Sequence, residues 1–283
     1  MPRIVLGNCS GALPLLQARG VLAELSEGWP DVNIVQKTLQ GGADELLAAL
    51  SSGRVNVALQ SLESLPLSLP EGLTLAAVTK RLEPRTALVS REANTLASLK
   101  EGASVGVSTP RERAFLLANR KDLETVDVTG DVDKDLALLA TGEVDALVIA
   151  SAHLLHTGRR ERIGAFLEPA TFTPAVGQGS LGLVVRDDDD LAADLAYTLQ
   201  HRSSFDRVRA ERSFARALHA TSYAVGALAT VSPEGDLSLF GAVTDMTGDL
   251  VIQAEISGEA SEADELGREL AQDVSDQLGQ RTP

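Results

Sequence analysis

The sequence is poor in aromatic side chains and in positive charge. Phe, Trp and Tyr make up 3% of its 283 residues, so few platforms for stacking bases or sugars are available. The formal net charge is −15, whereas phosphate backbones are held by clustered Lys and Arg. We therefore expect no nucleic-acid partner.

Cysteine and long apolar runs are also scarce. The one cysteine, Cys9, rules out an internal disulfide and any multi-cysteine metal site. The first residues, MPRIVLGN, lack the pattern of a signal peptide, and no stretch approaches the length of a membrane span. These features predict a cytoplasmic protein without membrane association.

Strands that alternate with helices dominate the first two thirds of the chain. With 44% apolar residues the chain is long enough for two or three cores, and the alternation predicts α/β lobes with mostly parallel sheets. The remainder predicts two helices, three alternating strands and a closing helix, which is typical of a small α+β domain. The predicted domains are a first lobe (1–84 with 169–187), a second lobe (85–168) and an α+β domain (188–283).

The turn Gln60–Ser64 follows a strand predicted at Val55–Leu59. Ligands of open α/β sheets bind at the carboxyl ends of strands, where helix starts also present their amides. This turn should therefore hold the chemistry, yet it contains two serines and Glu63 with no histidine, lysine or aspartate.

Further polar residues are predicted at helix starts that face a cleft between the lobes. Thr109-Pro110-Arg111-Glu112 has the form of a capping box with proline at the first helical position. The ligand-cleft candidates are small or polar and comprise Cys9, Ser10, Gly11, Ser61, Ser64, Ser108, Thr109, Arg111, Thr129 and Gly130. Their types also fit simple caps and tight turns.

Three other features have a functional and a structural interpretation. Cys9 precedes a helix, where a thiolate would be favoured, but single cysteines commonly fill small buried spaces. His153 and His156 could share a metal, but no acidic or cysteine partner stands at suitable spacing. The run Asp187–Asp190 is interpreted as a solvated linker and helix start. We predict no metal site.

Several colinear motifs are similar to those of the hydroxymethylbilane synthase family, also called porphobilinogen deaminase. SLESLPLSLPEGL resembles the family's HSLKDLPTxLPEGL, and VGVSTPRERAFLLANRKDL resembles VGTSSLRRQAQLLxxRPDL. FTPAVGQGSLGLVVR resembles FLPAPGQGALAIECR, and RVRAERSFARAL resembles VTAERAFLRAL. The resemblance implies two hinged lobes like those of periplasmic binding proteins, a cleft, and a small α+β domain.

The family's activity joins four porphobilinogen units, and the resemblance shows what that activity would require here. An aspartate handles the proton transfers, and Ser64 stands at its position, next to Glu63. A serine hydroxyl has no useful acidity near neutral pH, and adjacent residues point in different directions.

A cysteine binds the family's dipyrromethane cofactor through a thioether, and Ser222 or Thr221 stands at its position. A hydroxyl cannot form that bond, so we expect no covalent cofactor there. The family's arginines hold the substrate's carboxylates, and only Arg111 is in register. The other positions carry Cys9, Glu112, Thr129, Asp135 and His156.

Exchange of arginine for Glu112 or Asp135 replaces attraction with repulsion of about 4 kcal/mol for a close pair at an effective dielectric near 20. The segment after Thr38 also lacks the family's long active-site loop. We expect a family member that does not catalyse the reaction and that binds a small ligand or a protein partner. The alternative is a divergent synthase with a non-covalent or Cys9-linked primer, and a transport solute-binding protein is disfavoured.

Overall fold

The computed structural model describes residues 1–92, 95–219 and 222–281. Strands occur in all parts of this described chain. They are β1 Arg3–Cys9, β2 Asn33–Leu39, β3 Val57–Ser61, β4 Leu73–Val78, β5 Thr86–Ser90, β6 Ser104–Val107, β7 Glu124–Asp127, β8 Ala146–Ala150, β9 Ala165–Phe166, β10 Leu181–Arg186, β11 Tyr223–Val231, β12 Asp236–Asp245 and β13 Val251–Glu259.

The α-helices alternate with the strands of the first two thirds and then flank the last three strands. They are α1 Ala12–Gly28, α2 Ala43–Ser51, α3 Pro110–Asn119, α4 Val132–Thr141, α5 Ser151–His156, α6 Asp190–Tyr197, α7 Arg202–Leu218 and α8 Ala263–Arg281. Among the described residues, no helix is long and apolar enough to cross a membrane.

The chain forms two compact units. Unit 1 comprises Met1–Leu82 with Ser180–Phe205, and unit 2 comprises Glu83–Gly179 with Asp206–Pro283. The three predicted domains stay a prediction, because a division into two units does not test their boundaries.

Unit 1 is built on a five-stranded sheet in the order β2-β1-β3-β10-β4. The strand β1 runs parallel to β2 and β3, but β10 runs antiparallel to β3 and β4. The expectation of a mostly parallel sheet is confirmed, because β1, β2, β3 and β4 run in the same direction and β10, which returns from unit 2, runs opposite to them. The core is aliphatic, with Leu6, Leu25, Val57 and Leu183 among its members.

Unit 2 contains a second sheet in the order β7-β6-β8-β5-β9 and a separate three-stranded sheet, β11-β12-β13. The strands β6, β7 and β8 are parallel neighbours, while β5 is antiparallel to β8 and β9, so this sheet is also mixed. The small sheet is fully antiparallel. The α/β fold class with a small additional antiparallel sheet is confirmed.

Candidate functional site

The sequence-predicted candidates lie at two sheet edges, one in each unit. In both sheets, polar turns follow the carboxyl ends of parallel strands, which are β1 and β3 in unit 1 and β6 and β7 in unit 2. Whether these residues bind a ligand stays a prediction.

In unit 1, Cys9 is the last residue of β1 and pairs with Leu39 of β2. Ser10 extends this pairing through its amide, and Gly11 precedes α1 with φ of 126°. Burial raises the pKa of the half-buried Cys9 thiol. The expectation that a thiolate is favoured here is therefore wrong, because burial disfavours the charged form of the thiol.

Three glutamine side chains lie near the ends of β1, β2 and β3 at this edge of the sheet. Gln17 of α1 donates to the Ser61 hydroxyl (3.3 Å), and Gln60 donates to the backbone oxygen of Ser64 (3.1 Å). On the neighbouring strands, Gln36 donates to the buried Asn8 side chain (2.9 Å). Gln17 and Gln36 are not among the candidates predicted from the sequence, since no motif signals a glutamine that faces a strand end.

Ser64 ends a short 3₁₀ helix, Leu62–Ser64, and its side chain is exposed. Glu63 precedes it within the same turn and is half-buried. A hydroxyl at the Ser64 position offers hydrogen bonds but no acid of useful strength near neutral pH.

In unit 2, the turns before α3 and α4 lie side by side. A side-chain atom built on Gly130 would stand 3.5 Å from the Cβ of Ser108. The structure thus brings together Ser108, Thr109, Thr129 and Gly130, all of them exposed.

Glu112 binds the turn before its own helix. The predicted capping box is confirmed, with Thr109 accepting from the Glu112 amide (3.1 Å). In return, Oε2 of Glu112 accepts from the Thr109 amide (3.1 Å) and from the Ser108 amide (2.7 Å) and hydroxyl (2.9 Å). The carboxylate is nearly buried, with 6% of the residue exposed.

Asp135, in the first turns of α4, binds the turn that precedes this helix. Its Oδ1 accepts from the Thr129 amide (3.1 Å) and hydroxyl (2.9 Å), and its Oδ2 accepts from the Gly130 amide (2.9 Å). Only 2% of Asp135 is exposed. The sequence predicts that both acids repel an anionic ligand, and in the structure both bind the turn amides themselves.

Arg111 turns toward the interior of unit 2. Its guanidinium lies 5.7 Å from the ring centres of both Phe115 and Phe172, and it donates to the backbone oxygen of Thr173. The cation is thus engaged with aromatic faces and a carbonyl.

Three further features predicted from the sequence are His156, the acidic run Asp187–Asp190 and the absence of a metal site. Burial, with a smaller contribution from His153, lowers the pKa of His156 at the end of α5, so its imidazole is neutral near pH 7. In the acidic run, Asp189 caps α6 by accepting from the Ala192 amide (3.1 Å), which agrees with a helix start. No group of three or more His, Cys, Asp or Glu side chains in the described part of the chain is arranged to hold a metal.

The position of the family's cofactor cysteine lies just before β11. Ser222 is exposed there, and Thr221 lies outside the described residues. The donor at Ser222 is a hydroxyl at the surface, which does not fit thioether attachment of a dipyrromethane.

Two family models and full-length relatives match this chain. The model "Porphobilinogen deaminase, dipyromethane cofactor binding domain" matches residues 42–194, and "Porphobilinogen deaminase, C-terminal domain" matches residues 205–276. A porphobilinogen deaminase from Thermus thermophilus is 42% identical over 98% of this chain and 96% of its own length. One from Deinococcus radiodurans is 37% identical over 97% and 96%.

Among solved structures, a nutrient binding protein from Burkholderia cenocepacia bound to methionine is similar, with 18% identity and a TM-score of 0.49 over 69% of this chain and 91% of that one. The identity and coverage of the sequence relatives, together with the two family models, establish the assignment: the chain belongs to the porphobilinogen deaminase family.

Proposed function

We propose that this family member does not catalyse the family reaction and instead binds a small ligand or acts as a partner protein. One observation carries the proposal. Where the resemblance places two substrate-binding arginines, the chain has Glu112 and Asp135, and both carboxylates bind the turn amides of unit 2. The amides of Ser108, Thr109, Thr129 and Gly130 are thus occupied by the chain's own carboxylates, which would repel a ligand with two carboxylates per pyrrole.

Two further positions support the proposal. Proton transfer needs a group whose pKa is near the working pH, and the Ser64 hydroxyl is far from that range. Covalent retention of a primer needs a thiolate, and Ser222 supplies a hydroxyl. The chain therefore lacks both chemical groups at the positions that match the family motifs.

The decisive experiment incubates the purified chain with porphobilinogen and measures hydroxymethylbilane and, after acid cyclisation, uroporphyrin. We expect no product above a protein-free blank. The Thermus thermophilus relative, assayed at the same concentration, provides the positive control. Product formation that depends on this chain would contradict the proposal.

A second candidate is a divergent hydroxymethylbilane synthase with a non-covalent or Cys9-linked dipyrromethane primer. The names of the relatives, which match nearly the full length of the chain, favour this candidate over the first. Intact mass separates the two covalent states. A mass excess equal to a dipyrrole that disappears in Cys9→Ala would support a relocated attachment, and the bare mass would leave only a non-covalent primer.

A cytoplasmic location and a protein partner stay predictions.

A further inference from the structure

Unit 2 contains a cavity at the edge of its five-stranded sheet that lies opposite Ser108 and Thr129. The cavity has a volume of about 370 Å³, which is within the range of small-molecule sites. The parallel strands β6 and β8 begin at this edge, and β5, which is antiparallel to β8, ends there. The segments that follow β5 and precede β6 and β8 line the cavity, so it is separate from the predicted ligand-cleft positions.

One wall of the cavity, residues 98–103, is fixed by hydrogen bonds to the segment that follows α3. Arg120 donates to the backbone oxygen of Leu99 (3.1 Å), and the Asp122 carboxylate binds the Arg120 side chain (2.8 Å). Leu99 and Ala103 are buried and contribute apolar surface to this wall. The wall is therefore preorganised, which lowers the entropic cost of binding a ligand.

Asp145, just before β8, contributes a carboxylate with one oxygen engaged. Its Oδ2 accepts from the Ser104 amide (2.8 Å) and hydroxyl (2.9 Å), and no hydrogen bond from the described part of the chain reaches Oδ1. These bonds, with smaller contributions from the charges of Arg91 and Lys100, hold the pKa of Asp145 below its usual value. The group is thus ionised at neutral pH, and its Oδ1 can accept from a ligand.

Arg91, directly after β5, contributes a guanidinium that makes no hydrogen bond or ion pair with the residues that the structure describes. Lys100 and Glu92, in contrast, form an ion pair with each other across 3.0 Å. The charges that stay available to a ligand are the Arg91 guanidinium and the carboxylates of Asp145 and Glu101. The cavity therefore offers groups of both signs together with an apolar wall.

We propose that this cavity binds a free α-amino acid with an apolar side chain. The Arg91 guanidinium pairs with the amino acid's carboxylate, and the Asp145 Oδ1 accepts from its ammonium group. The apolar side chain packs on Leu99 and Ala103. A simple anion is disfavoured because the lining holds three carboxylates and two cations, and a simple cation gains nothing from Arg91. The inference goes beyond the proposed function, because it concerns a different edge of unit 2.

The test titrates the purified chain at pH 7 in a calorimeter with three probes of similar shape. L-leucine carries both charges, L-leucinamide lacks the carboxylate, and 4-methylpentanoate lacks the ammonium group. We expect L-leucine to bind with a Kd of about 1 mM or lower. Each analogue should bind at least about tenfold more weakly, because it loses one charge-assisted hydrogen bond. Absence of L-leucine binding, or equal affinity for either analogue, would overturn the proposal.

Arg91→Gln locates the binding at this cavity. The residue is exposed, so the variant should keep the wild-type Tm, and its affinity for L-leucine should fall at least about tenfold. Arg19→Gln is the matched control, because Arg19 is exposed on α1 of unit 1 and the net charge changes by the same amount. It should bind L-leucine as the wild type does. Equal affinity of Arg91→Gln and Arg19→Gln would place the binding elsewhere and overturn the proposal.

A second variant, Asp145→Asn, removes the negative charge and keeps an oxygen that can accept from Ser104. It should also bind L-leucine at least about tenfold more weakly, since the ammonium group loses its ionised acceptor. Unchanged affinity in a folded Asp145→Asn variant would contradict the assigned role, and Arg91→Gln decides the proposal if this variant does not fold. Turnover of porphobilinogen by the wild type would refute the proposed function alone.

Discussion

At the scale of single residues, the contacts of a side chain within its own unit determine whether its charge is available to a ligand. The Arg111 guanidinium contacts the rings of Phe115 and Phe172, whereas the Glu112 carboxylate accepts a hydrogen bond from the Ser108 amide. A cation and an anion that stand next to each other in the sequence therefore point to different surroundings. The residue types alone do not predict this, because side-chain direction depends on the helix start.

Cys9 should react slowly with alkylating reagents. Burial raises the pKa of its thiol, so at about pH 8 a smaller fraction is thiolate than in a free cysteine. We expect iodoacetamide to label the folded chain several-fold more slowly than N-acetylcysteine, with the rate rising at higher pH. Since the chain has one cysteine, a single mass increment reports the reaction. Labelling in concentrated guanidinium chloride gives the unfolded reference, and an equal rate in the folded chain would contradict the prediction.

His156 should make the chain less stable at acidic pH. Burial, reinforced by His153, lowers the pKa of His156 in the folded state below its unfolded value, so the unfolded chain binds the proton more readily. Its contribution is therefore present above the unfolded pKa and is lost as pH falls from about 7 toward about 5. His156→Gln should lose less unfolding free energy over this interval than the wild type, measured by urea denaturation. His219→Asn, at an exposed position, is the control and should behave like the wild type.

The residue-scale predictions succeeded where one local motif fixes a side chain. The capping box specified both partners of Thr109, because the residues of a helix start have few alternatives. The thiolate expectation for Cys9 was wrong because burial depends on how β1 and α1 pack, which the turn sequence does not reveal. Gln17 was missed for the same reason, since its bond to Ser61 joins residues 44 positions apart.

At the scale of elements, local patterns predicted some boundaries and missed others. The helix α3 begins at Pro110, where the capping box Thr109-Pro110-Arg111-Glu112 predicts its start. The strand β3 begins two residues later than expected, at Val57. The Val55 amide closes the end of α2 by donating to Ala49, so Val55 is buried without extending the strand.

The contact of β11 with the segment before β10 should be sensitive to one added methyl group. A Cβ on Gly226 would lie 2.8 Å from the Cβ of Thr173 and 2.9 Å from its backbone oxygen. Because these atoms belong to a buried residue, we expect Gly226→Ala to destabilise the chain by about 1–3 kcal/mol in urea denaturation.

Gly20→Ala is the matched control for that substitution. Gly20 lies inside α1, and no heavy atom stands within 4 Å of an added Cβ. Alanine favours a helix interior over glycine by up to about 1 kcal/mol, so the control should be neutral or stabilising. A loss of stability in Gly20→Ala equal to that in Gly226→Ala would show that packing against Thr173 is not the cause.

At the scale of the whole molecule, the α/β class follows from alternating elements, but strand direction does not. The sequence shows where helical crossovers occur, and these produce the parallel neighbours β1–β3 and β6–β8. The antiparallel strands β10 and β5 enter their sheets from the other unit of the chain. Their direction depends on long-range contacts, which no local pattern records.

The family reaction needs an acid, a cofactor thiol and cations for the substrate's carboxylates, and these groups lie on separate elements. We therefore predict that a carboxylate at position 64 and a thiol at position 222 do not by themselves give activity. Ser64→Asp with Ser222→Cys supplies a carboxylate and a thiol at exposed positions, where substitution should be tolerated. The double variant still has Glu112 and Asp135 on the turn amides and a formal net charge of −16, one below the −15 of the wild type. We therefore expect a porphobilinogen unit, which carries two carboxylates, to be repelled rather than held.

We expect this double variant to keep its bare intact mass after incubation with porphobilinogen and to release no hydroxymethylbilane. Ser64→Asn with Ser222→Ala is the matched control, because it changes the same positions without a carboxylate or thiol. Circular dichroism and Tm establish that both variants are folded. Product or a dipyrrole-sized mass increment in the Ser64→Asp, Ser222→Cys variant alone would show that the reactive groups suffice and that the acids at the unit 2 edge do not prevent catalysis.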